Sequence, residues 1–320
     1  MGKCIESMCF YGGSGSGKTH QIGDLADWVA RNMRKKTRLV SASGGGWTTI
    51  QPLVDLKVVE PTYIRNRRFP FQTMERVSKG WWPQDPEDPM SPLIPPEKQS
   101  DWDMVGAIAY DGLSEMCEWL MSTSVQREAK GEIKISTESL AARFSDGDVK
   151  ANDSSSYGTP GKAHYLVVQN HATDCVTWSK GISGKYIVWT MLELRAADDV
   201  TKMPIYGPQV IGRAKTSDAA AWFEDTIHLG MVRVGQTNVA KHRMWLIRHF
   251  DGEDPVPYLA KVRSTAAAPL PPFLEGPECS IGKFLDLLQA SQEKAKEIYG
   301  KRYEEYMAEI VMHQMTKTKT

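Results

Sequence analysis

Eight residues near the amino terminus constrain this chain more than anything else in it. Gly12-Gly13-Ser14-Gly15-Ser16-Gly17-Lys18-Thr19 matches the pattern G-x-x-x-x-G-K-[ST] at every position. Glycines at this density let the backbone turn so that successive N–H groups point into one concave nest, which accepts the oxygens of a triphosphate and which bulkier residues would block. In such a P-loop the lysine, here Lys18, reaches the β- and γ-phosphates of ATP, and the hydroxyl of the next residue, Thr19, holds Mg²⁺. His20 follows directly, so the expected nucleotide-binding stretch is Gly12 to His20. Context separates a P-loop from a Gly/Ser linker. Cys4 to Tyr11 reads as a short strand, and Ile22, Leu25, Ala26, Val29 and Met33 recur at helical spacing. The order is therefore strand, glycine loop, helix, and the helix amino terminus adds a field that favours an anion.

A second half of the site follows downstream. Met104 to Asp111 is an apolar run ending in an acid, continued by Gly112-Leu113-Ser114-Glu115. A buried parallel strand would place the Asp111 carboxylate opposite the loop, where it orients Mg²⁺ or its water shell. Tyr186 to Met191 reads as another core strand. Thr190 near its tip is either a sensor of the γ-phosphate or simply a good strand residue. Glu193 and Glu115 are candidate acids for activating water, or helix-cap and surface charges.

The remaining chain is read more coarsely. Arg34 to Arg38 suggests a basic turn, and Leu39 onward a second strand ending in the glycines Gly44 to Gly46. Residues 61–100 carry Arg65, Arg67, Arg68, Trp81 and Trp82 and then Pro86, Pro89, Pro92, Pro95 and Pro96; prolines at that density predict a long irregular surface insertion. Its arginines and tryptophans either stack on single-stranded nucleic acid or pin the insertion to the domain. Residues 122–160 are polar and predict a mobile substrate loop, followed by a helix over Ala163 to Thr177. Asp198, Asp199, Pro204, Gly207 and Pro208 predict a loop after Glu193. The strand candidates Thr226 to Val234, Arg243 to Phe250 and Pro257 to Arg263 predict an antiparallel end to the sheet. Residues 1–268 then form the core, and 269–320 a proline-rich linker with a helical extension from Ser280.

Composition limits partners and compartment. With 39 basic and 39 acidic residues the net charge is zero, so no global field draws the protein to nucleic acid, and any such contact depends on local patches. Cys4, Cys9, Cys117, Cys175 and Cys279 are odd in number and lack a C-x-x-C pair, which argues against a disulfide framework and a zinc site. No apolar run reaches spanning length and the start lacks a signal-peptide core. Glu6 stands where a myristoylation signal has Ser or Thr. The expectation is a soluble protein of the cytoplasm with no membrane partner.

Taken together these stretches resemble the RecA-like P-loop ATPases, and among them the phage-encoded RecA/RadA-type proteins of single-strand annealing and recombination, over roughly residues 4 to 265. Tyr11 to Thr19 is similar to the first motif of that family, Ile108 to Glu115 to its strand-Asp-Ser-Leu-Thr stretch, and Trp189 to Glu193 to its next strand tip. The resemblance implies an α/β core with a mostly parallel sheet and antiparallel carboxy-terminal strands, ATP with Mg²⁺ as ligands, and assembly with itself into a ring or filament. It also implies single-stranded DNA as a partner in phage recombination or replication, with a single-strand-binding or replication protein as a further contact. Lys261-Val262-Arg263 resembles the K-x-R element that reaches a neighbour's ATP, where a cation stabilises the charge on the transferring phosphoryl group; a chance triplet is the alternative. One departure stands out. Relatives carry a glutamate after the second strand, and here the stretch reads Ser41-Ala42-Ser43-Gly44. Two other readings therefore stay open: an assembly protein clamped by ATP and hydrolysing it weakly, or a helicase or packaging motor on the same core.

Overall fold

Strand β1 (Glu6–Tyr11) is buried at every residue after its first, which is what a strand covered on both faces requires. In the computed structural model Met8 and Phe10 point into one apolar layer, and Cys9 and Tyr11 into the other. The structure describes residues 4–42, 46–65, 67, 69–86, 88, 90–129, 160–197, 203–211, 216–233, 240–250, 256–263 and 269–317.

Behind β1 come α1 (Lys18–Met33), β2 (Lys36–Ser41), α2 (Gln51–Asp55), β3 (Val59–Tyr63), α3 (Pro70–Ser78) and a short hairpin of β4 (Trp82–Pro83) and β5 (Leu93–Ile94). Then follow β6 (Val105–Asp111), α4 (Leu113–Ala129), α5 (Lys162–Lys180), β7 (Tyr186–Met191), β8 (Glu193–Ala197), β9 (Pro204–Pro208) and α6 (Thr216–Ala219). The chain closes with β10 (Asp225–Arg233), β11 (Ala240–Trp245), β12 (His249–Phe250), β13 (Pro257–Tyr258), β14 (Phe273–Glu275) and α7 (Ile281–Lys317).

Among the described residues eight strands form one sheet in the order β14-β11-β10-β1-β7-β6-β2-β3. The fold is α/β. Its sheet is large and mostly parallel, and a long helix ends the chain. Strand alternation divides the core between two layers. Ile108, Tyr110, Ile187 and Trp189 pack with α3, α4 and α5, while Ala107, Ala109, Tyr186 and Val188 pack with α1 and the start of α7. Tyr110 and Trp189 stack at 4.0 Å on neighbouring strands. A smaller sheet, β12-β13-β9-β8, sits beside the main one. The parallel strands β1, β6, β7 and β10 all end on one edge, the usual place for a ligand on such a sheet.

Several expectations are corrected. The insertion at 61–100 is regular in part: Pro61 to Tyr63 lie in edge strand β3, α3 starts at Pro70, and Met74 and Val77 are buried in the main core. The basic turn is shorter than expected, because β2 begins at Lys36. Arg38 lies in the strand, 2% exposed, bonded to Glu60 at 2.9 Å, Asp101 at 2.9 Å and Gln99, with Trp82 stacked over it at 4.7 Å. Pro204, Gly207 and Pro208 belong to β9, paired with β8, rather than to a loop; Asp198 and Asp199 lie outside the described residues. The carboxy-terminal strands of the main sheet do pair antiparallel, β10 with β11 and β11 with β14, but β10 itself joins the core parallel to β1. The stretch 257–263 is a strand only at Pro257–Tyr258, with one isolated bridge from Lys261 to Thr226. Residues 122–129 finish α4, and residues 130–159 of the expected mobile loop lie outside the described residues. After the prolines at 269–272, β14 joins the main sheet through β11. The first turns of α7 bury Ile281, Phe284, Leu285 and Leu288 in the layer shared with α1. All five cysteines are buried and outside any disulfide. Among the described residues no helix is long and apolar enough to cross a membrane.

Candidate functional site

The loop between β1 and α1 closes on itself. Ser16 N donates to Gly13 O at 3.2 Å, and Gly17, left-handed at φ 94°, starts the helix. Gly12 is required by close approach: a Cβ there would lie 2.1 Å from the carbonyl oxygen of Leu229 on β10. The Lys18 ammonium arches back over the loop and donates to Gly12 O at 2.9 Å and Gly13 O at 2.8 Å. Burial holds its pKa below the ordinary lysine value, opposed by the charges of Asp111, Glu115 and Glu193.

Register brings the acid to it. Tyr11 pairs with Met191 on β7, and Tyr110 on β6 pairs with Trp189, so Asp111 and Thr190 reach the same edge together. Thr19 Oγ1 donates to Asp111 Oδ2 at 2.9 Å, and Thr190 Oγ1 donates to Asp111 Oδ1 at 2.5 Å while accepting from Gly112 N at 2.8 Å. Both carboxylate oxygens are thus fixed by hydroxyls from α1 and β7. Glu115 folds back over Gly112, whose φ of 95° and missing side chain leave room: a Cβ there would lie 2.8 Å from Glu115 Oε2. Burial raises the Glu115 pKa, with further lift from Asp111 and Glu118, against the pull of Lys18 and Arg65. These groups line a cleft of about 550 Å³ together with Gly15, Gly17, His20 and His242. His20 is exposed, with its Nε2 3.7 Å from Asp24.

Glu193 lies on the other flank of the loop. It borders a separate cavity of about 240 Å³ together with Gly13 to Ser16, His228, Trp245, His249 and Tyr258. Its Oε2 is 2.9 Å from His228 Nε2, and His228 Nδ1 is 3.2 Å from His249 Nε2. His228 stacks against Trp245 at 5.0 Å and Tyr258 at 4.5 Å, and tilts against Tyr11 at 4.9 Å. Burial, then the neighbouring His228, pushes the His249 pKa down to about 3, so this ring is neutral. Sequence reasoning missed His228, His242 and His249. No motif joins them; strand order alone brings β10, β11 and β12 to the loop.

Lys261 and Arg263 are not at this loop. Lys261 bridges to Thr226, which pairs with Cys9. The Arg263 amide donates to Asp225 Oδ1 at 2.8 Å and its guanidinium to Glu224 at 3.0 Å. Asp225 pairs with Met8, three residues before the end of β1, about 10 Å from the loop. Beside it, Glu6 is pushed up to about 8 by burial and by its hydrogen bond with Glu224. In the proline-rich segment, Trp82 is buried and Arg67 donates to Ser91 O at 2.6 Å, so both pin the segment to the domain; Arg68 lies outside the described residues.

No family model matches the chain, and no curated protein matches it.

Proposed function

We propose that this protein binds ATP with Mg²⁺ at the Gly12–Thr19 loop and hydrolyses it, as a RecA-like ATPase acting on single-stranded DNA. The observation that carries the proposal is the convergence of Thr19 and Thr190 on Asp111, beside a lysine folded onto a glycine-rich loop at the carboxyl edge of a parallel sheet.

Magnesium bound with substrate phosphates takes one or two protein oxygens and keeps several waters, so it needs no cage of side chains. Thr19 Oγ1 and Asp111 Oδ2, 2.9 Å apart, fit that demand as ligand and as holder of its water shell. When bound, the ion neutralises charge on the phosphoryl oxygens. The loop amides would cradle the triphosphate, and Lys18 would exchange the carbonyls of Gly12 and Gly13 for the terminal phosphates. Thr190 keeps Asp111 from rotating. His20 and His242, which line the same cleft as Lys18 and Asp111, are candidates to contact the ribose or base.

The assembled form rests on the family resemblance. Arg263, with a side chain 63% exposed and bonded to Glu224 at 3.0 Å, would in that assembly serve a neighbour's nucleotide rather than its own. The ATP-clamp reading keeps one specific support: β2 ends at Ser41 and is followed by Ala42, with no carboxylate there. The experiment is the ATPase rate with and without single-stranded DNA, alongside a mass measurement with ATP. Stimulation by DNA and an ATP-dependent oligomer support the proposal. A slow rate indifferent to DNA, with an oligomer that still needs ATP, supports the clamp.

A further inference from the structure

Resting on the nucleotide reading above, we infer that Glu193 is the water-activating acid of this site and that His228 is its positioning residue. The carboxylate is supplied from the start of β8, just past the end of β7, because β2 carries none.

Register places it. Glu193 opens β8, two residues past the last β1–β7 pair, and borders the same cavity as Gly13 to Ser16, close enough for its charge to act on Lys18, whose Nζ is held by the Gly13 carbonyl. The terminal phosphoryl group of a bound triphosphate ends at that lysine. Glu115 sits on the other flank, folded against Gly112 next to Asp111, so its charge is directed to the metal side. Glu193 is also held firmly. The amide of Leu192 donates to Ser114 Oγ at 3.0 Å, and Ser114 Oγ donates to Gln209 O at 2.7 Å, which ties the end of β7 to the end of β9.

The histidine chain fixes the side chain. With Glu193 a carboxylate, His228 Nε2 carries the hydrogen and donates to Oε2; His228 Nδ1 then accepts from His249 Nε2. Stacking on Trp245 and Tyr258 stops the His228 ring from turning. The other oxygen, Oε1, is the one left to take a proton.

Water can reach it. The 240 Å³ cavity beside Glu193 has room for about eight molecules at roughly 30 Å³ each. In the step, the water oxygen bonds to the γ-phosphorus and one of its protons passes to Glu193 Oε1. The bond from the γ-phosphorus to the β–γ bridging oxygen breaks, with its electron pair leaving on ADP. The proton then returns to solvent and phosphate departs.

The test compares Glu193→Gln, Glu115→Gln, His228→Phe and His228→Gln, measuring steady-state turnover, affinity for a fluorescent ATP analogue, and whether bound ATP is recovered intact. Glu193→Gln should turn over at least about a hundredfold more slowly and hold intact ATP with affinity near wild type. His228→Phe keeps a ring in the stack but no donor, so kcat should fall about tenfold to a hundredfold with little change in KM, and His228→Gln, which restores a donor, should recover part of the loss. If His228→Phe does not fold, Glu193→Gln decides alone. Wild-type turnover in Glu193→Gln, or loss of turnover in Glu115→Gln only, overturns the inference while leaving ATP binding intact. A wild-type protein that binds no ATP overturns the nucleotide reading itself.

Discussion

Replacing Thr190 by Val removes one hydroxyl and keeps the shape of the side chain, at a residue 1% exposed in the middle of the sheet. That hydroxyl makes two bonds: it donates to the Asp111 carboxylate at 2.5 Å and accepts from Gly112 N at 2.8 Å. A hydrogen bond to a charged group contributes about 1.5–3 kcal/mol, and a buried amide left without an acceptor costs about 1–3 kcal/mol. The two overlap, and the extra methyl returns some apolar burial, so the expected loss is about 3 kcal/mol. At roughly 2 °C per kcal/mol for a chain of this size, the Tm should fall by about 6 °C. Urea titration should show the same loss as a lower midpoint at unchanged slope. Thr190→Ser keeps the hydroxyl and should stay close to wild type in both assays. ATP affinity in the presence of Mg²⁺ should fall in Thr190→Val, because Asp111 Oδ1 is then free to rotate away from Thr19. A Tm for Thr190→Val within about 1 °C of wild type would refute the reasoning, since it would mean that neither bond contributes to the folded state.

Other outcomes follow from the same geometry. Glu6 has a folded pKa of about 8 against an ordinary 4.5, so the folded state binds more protons than the unfolded chain between those values. Stability is therefore fully present below about pH 4.5 and is lost as pH rises through 8; Glu6→Gln should flatten this fall, which Tm measured across that range will show. Arg38→Ala strips the buried partner from Glu60 and Asp101, and should cost about 3 kcal/mol by chemical denaturation; Lys36, 3.1 Å from Glu60, keeps the loss from being larger. Mixing Arg263→Ala with Lys18→Ala subunits should restore part of the ATPase activity if Arg263 serves a neighbour's site; no restoration at any ratio removes it from the mechanism.

How far the sequence reached depended on whether a signal was local. Strand β7 has the expected bounds, Tyr186 to Met191, because a continuous apolar run is enough to mark a buried parallel strand. Helix α1 follows from its apolar spacing and the glycine before it. In the proline-rich segment proline density predicts absence of structure, whereas three of its prolines occupy tolerated positions. Pro61 lies on an edge strand that pairs only with β2, and Pro70 and Pro96 open helices at their first residue. The pairing of Thr19 with Asp111 across 92 positions was expected from two motifs taken together. The chain from Glu193 through His228 to His249 was not legible. Its links span 35 and 21 residues, and they exist only because β10 lies next to β1 and the small sheet folds over the loop. Arg38 was missed for a related reason: an arginine in a basic run looks like surface until its partners, Glu60 and Asp101, arrive from other elements.

The central claim is that Gly12 to Thr19 is a nucleotide site completed by Asp111. Titrating a fluorescent ATP analogue into the wild type, Lys18→Ala and Asp111→Asn, each with and without Mg²⁺, tests it most directly. The account predicts tight binding by the wild type that weakens when Mg²⁺ is withdrawn, loss of affinity in Lys18→Ala, and binding by Asp111→Asn that no longer responds to the metal. Equal affinity in the wild type and Lys18→Ala, or no binding by the wild type at all, would contradict it.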